Sequence, residues 1–506
     1  MLWLKFTSSA NHEVARRKGS SIVRKLRRSS ISTALAALLV GVTPTFASGG
    51  AEVVSRVTLP DISLKTISNT ALANSVANDQ GVLLGGIGSD LFHSPHDPID
   101  IFYAITDRGP NNDTVQPDKS AGTGFVVPDF TPLIVKLRIT KSGVEILETK
   151  AIVTRTGAGV TGLPNIKGYD AVPTNTAGIP SDALYNVAGQ DSEGIVRLRD
   201  GQFWIVDEYA PSVTNLRPNG AVKTRYVPQG WAGKNMTYKI DASIPAIYLK
   251  RKANRGFEAL ALSPDETRLF IGLQSPLLNP SSTVGNASLV TRILEFDLQS
   301  KTFVGEYAFG FEKASVVDAT STKASDLKLS SIVALSNDTL LVQERTDNSF
   351  LLSTITLTKN ANILNSKWDL ATTTPSLETY SGAGTNSEVE ALLALNKKKM
   401  VFDSATIKDM PMKIEGVAVL DKNHIIVVND NDFNFKFNTA TAKVENGTVK
   451  TSFLTIKLPT ALPTTPEAEL ARLGGACVSL LLEARGLQCR SDNGSVNLRW
   501  RNPKTP

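Results

Sequence analysis

Carboxylates are the chemistry this sequence offers, and they recur in one setting. In Asp191–Tyr209 an acidic turn, Ser192-Glu193-Gly194, leads into the apolar run Ile195–Leu198. A polar turn at Asp200-Gly201 follows, and a second apolar run, Phe203–Val206, stops at Asp207-Glu208. Asp-Gly between two hydrophobic runs is a strong hairpin signal. The same order returns in Gly81–Asp113, which ends in Asp107-Arg108, and in Arg255–Gln274, which opens on Glu258. It appears again in Asp326–Asp347, ending in Glu344-Arg345, and in Lys413–Asp432, which opens on Glu415 and ends in Asn429-Asp430-Asn431-Asp432.

Acids gathered from several strand ends repel one another unless a cation sits among them. Oxygen-only ligands suit a hard ion, and a flexible multi-carboxylate set suits Ca²⁺ over Mg²⁺. The expected metal set is Asp107, Glu193, Asp207, Glu208, Glu344, Glu415, Asn429 and Asp430. Arg108, Arg255 and Arg345 stand beside these acids, and the guanidinium fork suits carboxylate or phosphate oxygens. They are the expected substrate-binding groups, with Glu193 or Glu258 steering an attacking water. The plainer readings are that an Asp at a strand end forms a turn and that these arginines are structural ion-pair partners. His93 and His96 are spaced to share a metal, although a loop position favours bystanders; His424 sits in a turn. A Gly-x-Ser-x-Gly elbow and a phosphate-binding Gly-rich loop before a helix are both missing, which argues against serine hydrolase and nucleotide chemistry.

Something must bring these ends together. Glu193 to Asp207, Ser330 to Glu344 and Glu415 to Asn429 are each 14 residues apart, and the strand ends recur every 67 to 100 residues. Many short strands with regular turns and few helical periods imply an all-β fold. A β-propeller closes its sheets round an axis and places equivalent positions in a ring. Five to seven blades are expected, six above the others; a pair of sandwiches is the alternative. Arg155–Ala188 reads as a long loop, and Glu388–Asp403 as either a degenerate repeat or a short helix.

Residues 1–47 form an export signal: a basic segment ending at Arg28, an apolar run Ile31–Val42, and a small-residue exit at Thr45-Phe46-Ala47. The run is about 12 residues long, short of the roughly 20 that a membrane span needs. This leader holds eight basic residues and one acid; without it 46 basic and 47 acidic residues remain, in place of 54 and 48. The net charge of +6 therefore belongs to the leader, and a nucleic-acid partner is not expected. The expected mature protein is a periplasmic or extracellular monomer without a membrane span. It has a propeller domain at 48–462 and a C-terminal extension, 463–506, of unknown role. Cys477 and Cys489, the only two cysteines, could form one local disulfide in an oxidising compartment.

The ordered set of motifs resembles the phytase-like ("esterase-like activity of phytase") domain proteins of bacteria. Its members here are Thr106-Asp107-Arg108-Gly109-Pro110-Asn111, Asp191-Ser192-Glu193-Gly194 and Gly201–Tyr209, followed by Arg255–Leu260, Gln343-Glu344-Arg345, Lys413–Gly416 and Asn429–Phe433. The resemblance spans roughly Gly81–Phe435 and implies a secreted or periplasmic propeller with phosphoester or carboxyl-ester hydrolase activity. By looser analogy, calcium-dependent propeller phytases put Ca²⁺ and phosphate at the acidic mouth. The leading expectation is a Ca²⁺-dependent hydrolase of a small anionic phosphoester. A calcium-dependent lactonase or carboxylesterase and a non-enzymatic propeller binding module are the alternatives.

Overall fold

The second strand of each repeat is apolar on both faces, so both faces must be covered. Ile101–Ile105 and Phe203–Asp207 are buried along their whole length. In the computed structural model, which describes residues 50–67, 79–463, 487–492 and 495–500, that cover comes from neighbouring sheets. The leader, residues 464–486 of the C-terminal extension and with them Cys477 lie outside the described residues.

Five antiparallel meanders follow one another. The first blade is Asp90–Phe92, Ile101–Ile105, Leu133–Thr140 and Gly143–Ala151; the second is Ser192–Arg197, Phe203–Asp207, Ser212–Leu216 and Val222–Pro228, with Lys239–Ile244 added in parallel at its edge. The third is Phe257–Leu262, Arg268–Leu273, Val290–Asp297 and Thr302–Gly310, and the fourth is Lys328–Ala334, Thr339–Arg345, Phe350–Thr356 and Lys399–Asp403. The fifth takes Ile414–Val419, His424–Asn429 and Ser452–Lys457 from one end of the chain and its outer strand, Glu52–Thr58, from the other.

The core is divided into wedges, one at each seam. Tyr103 and Ile105 pack on Ile195 and Phe203 between the first and second blades, and Trp204 and Tyr226 on Phe296 between the second and third. Ile293 and Leu329 share the next wedge, and Leu341 and Val427 the one after. The last wedge joins Phe102 and Val135 of the first blade to Ile426 and Phe453 of the fifth. The inner strands touch in the same cyclic order. The fold is therefore all-β, and the ring of a β-propeller closes. Among the described residues it has five blades, against the six expected. Glu388–Asp403 is no extra blade: it supplies a helix, Ser387–Leu395, and the fourth blade's outer strand. Leu487–Asp492 and Ser495–Trp500 pair as a separate hairpin.

One irregularity repeats. Phe257 opposes Leu273 but Ala259 opposes Gly272; Leu329 opposes Glu344 but Ser331 opposes Gln343; Ile414 opposes Asn429 but Gly416 opposes Val428. Each inner strand thus carries a β-bulge, with Glu258, Ser330 and Glu415 as the extra residue, and Glu193-Gly194 is bulged likewise against Val206. A bulge leaves one residue outside the ladder and re-aims its side chain. In the first blade the matching position is Gly88, where a Cβ would lie 2.2 Å from the Asn429 carbonyl oxygen.

Gly88→Ala should therefore loosen the seam between the first and fifth blades, lowering stability by about 1–3 kcal/mol in urea unfolding. A variant as stable as the parent would show that this close approach is not needed.

Candidate metal centre

Alternation along a strand decides which acid of each pair meets the axis, because successive side chains point to opposite faces. Asp207 faces away from it. Its carboxylate is fully buried against Arg225 at 2.6 Å and accepts hydrogen bonds from the backbone N–H of Asp191 and Tyr209 and from the Ser212 hydroxyl. Glu344, one blade-pair on, pairs with Lys398 at 2.6 Å and accepts the Glu312 N–H. Asn429 is spent on the Ser452 N–H and the Lys450 carbonyl. These three were expected as metal ligands; each instead ties its second strand to neighbouring chain, and none enters a carboxylate group that could hold an ion. The residues that follow them, Glu208, Arg345 and Asp430, face inward.

Three groups of carboxylates have ligand oxygens within 4.8 Å of one another: Asp191, Glu193 and Glu208; Glu193, Glu258 and Glu415; and Asp107, Asp430 and Asp432. Glu193 belongs to two of them. Burial raises its carboxyl well above the usual range, and Glu258, Asp191, Glu208 and Glu415 push it further. It is 6% exposed, and among the described residues nothing donates a hydrogen bond to its carboxylate. Its neighbours are held: Gln274 Nε2 donates to both Glu208 and Glu258, and the Ser330 hydroxyl donates to Glu258 at 3.0 Å. Bulged positions supply Glu193, Glu258, Ser330 and Glu415, so the repeated irregularity is what assembles the site.

Cations are present, but fewer. Arg345 is buried, and its guanidinium donates to Ser330, Glu415 and Asp347 and lies 3.5 Å from Glu258. Expected to bind substrate, it instead neutralises the inner acids. Arg108 donates from its backbone and side chain to Asp191, both at 3.0 Å, and also to Asn254 and Asn111. Asp191, which sequence reasoning passed over although it opens the quoted motif, has its carboxyl raised to about 6 by burial, with Arg108 opposing. Arg255 differs from the other two: its side chain donates to Ser275 at 3.4 Å and forms no ion pair among the described residues. Burial lowers its pKa, Glu208 opposes that fall and Arg345 adds to it. Lys328 is held down to about 8 by burial and by repulsion from Arg345 and Arg255, while paired with Asp347 at 2.6 Å. Five carboxylates (Asp191, Glu193, Glu208, Glu258 and Glu415) therefore meet three guanidinium groups, an excess of acid that a bound cation would offset.

His93 and His96 take no part. His93 Nδ1 meets the Ile101 carbonyl, and His96 lies between Arg199 and Glu266. Asp90, also unforeseen, is buried beside Glu258 and accepts the N–H of Ile195 from the next blade at 2.9 Å.

The model of one protein family, described as phytase-like, "esterase-like activity of phytase", matches residues 83–433. The chain belongs to the phytase-like family. A relative in the fungus Arthroderma benhamiae, named only as an uncharacterized secreted protein, is 27% identical over 299 residues, which are 49% of this phytase-like chain and 56% of the relative. The chain thus spans little more than half of that relative's length. Among solved structures, a protein from Lactobacillus plantarum aligns at 11% identity and a TM-score of 0.28, covering 72% of this chain and 84% of that one. A gluconolactonase from Xanthomonas campestris aligns at 10% identity and a TM-score of 0.26, with 79% and 98% covered. Neither likeness is close enough to bear on the chemistry. Among the described residues, no helix of this phytase-like protein is long and apolar enough to cross a membrane.

Two outcomes are expected. Arg225→Met leaves Asp207 buried and unpaired and should cost roughly 3–5 kcal/mol in urea unfolding; a loss under about 1 kcal/mol would mean that the pair is not what holds Asp207. Burial raises the Asp90 carboxyl from 3.8 to about 7, so the fold binds its proton more tightly than the unfolded chain does. Its share of stability is present below pH 3.8 and lost as pH rises towards 7. Asp90→Asn should flatten the melting temperature of chelator-treated protein across that window; an unchanged slope would remove Asp90 as its source.

Proposed function

We propose that this phytase-like protein is an exported, Ca²⁺-dependent hydrolase of small anionic phosphoesters. The observation that carries the reading is Glu193: a buried carboxylate with no hydrogen-bond donor among the described residues, set among acids that outnumber the guanidinium groups beside them. Asp191, Glu193 and Glu208 would hold the ion, since Arg345 already serves Glu258 and Glu415. Such a donor set is all oxygen and carries several carboxylates, which fits a hard divalent cation. When bound, calcium supplies Lewis-acid polarisation of the ester.

The rest falls to the chain. Arg255, which feels the charge of Glu208 and has no ion pair among the described residues, is where an anionic ester group would dock. Glu258 is held by Ser330 and Gln274 in one orientation, which is what steering a water towards phosphorus requires. Arg108 positions Asp191 by a two-point contact. Export accords with the leader read in residues 1–47 and with the fungal relative's description as secreted.

The test is an assay of purified protein on phosphomonoester, phytate, lactone and acyl-ester panels, with and without chelator. Phosphate release is expected, abolished by chelation and reduced at least 100-fold by Glu193→Gln with folding intact, while Arg255→Ala raises KM more than it lowers kcat. Turnover of lactones or acyl esters alone would replace the phosphoester reading with the carboxyl-ester one. Turnover of nothing, with chelator lowering only thermal stability, would leave a binding module.

A further inference from the structure

We infer that the phytase-like ring is locked by a second, structural divalent cation where its first and last blades meet, held by Asp107, Asp430 and Asp432. Asp107 follows the first blade's second strand, and Asp430 and Asp432 follow the fifth blade's second strand. Their carboxylate oxygens lie within 4.8 Å of one another. Acids alone would not make a site. Asp430, however, is 4% exposed, and its Oδ1 is buried with no hydrogen-bond partner among the described residues; its other oxygen accepts the Asp432 N–H, at 3.3 Å. A buried carboxylate oxygen left without a donor costs free energy that a cation would recover.

Charge points the same way. Three carboxylates gather here, and among the described residues the one cation in an ion pair with them is Lys413, on Asp432. Two negative charges are left, and the donors are again all oxygen, so the class of ligand is a hard divalent ion. The surroundings leave room for a tight approach. A Cβ on Gly86 would lie 2.7 Å from Asp107 Oδ1, so only glycine there lets that carboxylate stand where it does. Asn431 accepts the Gly86 N–H at 3.1 Å, which ties the two blades beside the acids. Asp432 is 55% exposed in its side chain, which gives an ion access from solvent.

This site shares no residue with Asp191, Glu193 and Glu208, so it stands or falls separately from the proposed catalytic ion. The experiment is calorimetric titration of chelator-stripped full-length protein with Ca²⁺, paired with melting curves, for the parent, Asp430→Asn, Asp432→Asn and Glu193→Gln. The expected result is two ions per parent chain and one in each variant. The calcium-induced rise in Tm should shrink to less than half in both aspartate variants and persist in Glu193→Gln. If Asp430→Asn fails to fold, the exposed Asp432→Asn decides. Parent stoichiometry and an undiminished Tm rise in Asp432→Asn would overturn the seam ion. One ion in the parent, lost in Glu193→Gln, would overturn it too. One ion lost in Asp432→Asn but kept in Glu193→Gln would support the seam ion while removing the catalytic one.

Discussion

The molecule is built round a concentration of negative charge that it can bury only by closing into a ring. Glu193, Glu258 and Glu415 come from three different blades, and their oxygens meet within 4.8 Å. Held in a protein interior, like charges at that separation raise one another's pKa and weaken the fold unless cations or donors answer them. Arg345, Arg108, Gln274 and Ser330 supply part of that answer. The hydrophobic wedges between blades supply the rest of the stability, since each inner strand is covered by its neighbours. The site is thus a place where the fold's stability is lowered locally, and such places are characteristically functional.

Two arrangements cooperate in this. Bulges on the inner strands turn Glu258, Ser330 and Glu415 out of the ladder, and strand alternation aims the second acid of each pair inward and the first outward. Asp207 with Arg225 and Glu344 with Lys398 are therefore part of the scaffold, and Glu208 and Asp430 are part of the mouth. The same alternation makes Arg345 an internal counter-ion, whereas Arg255, ahead of its strand, forms no ion pair among the described residues.

Much of this was legible in the amino-acid sequence. The five repeats, their hairpin turns and the meeting of Glu193 with Glu208, Glu258 and Glu415 follow from apolar period and spacing; that Asp107 and Asp430 gather in a group of their own does not. Parity within Asp207-Glu208 did not follow, because the pair stands at the end of a strand, Phe203–Asp207, that is buried on both faces, and composition there does not mark which face looks inward. Glu388–Asp403, open between a degenerate repeat and a short helix, holds the helix Ser387–Leu395 and then a single outer strand, Lys399–Asp403, whose length and polarity alone look like part of a repeat. Asp191 was visible beside Glu193, but it lies outside the 14-residue spacing that links the other acids. Asp90, within a glycine-rich segment, gave no signal beyond its charge.

The outer strand of the fifth blade has a bearing on the order of events in folding. Glu52 pairs with Lys457, far away along the chain, whereas each other blade takes its strands from one continuous stretch. Short-range hairpins form ahead of contacts that close long loops. Four sheets can therefore take shape while the chain is still growing, but the fifth waits for residues some 400 positions apart to meet. The circle is accordingly completed in one late event, and until then the acids at its centre remain in water, apart from one another and carrying no electrostatic strain.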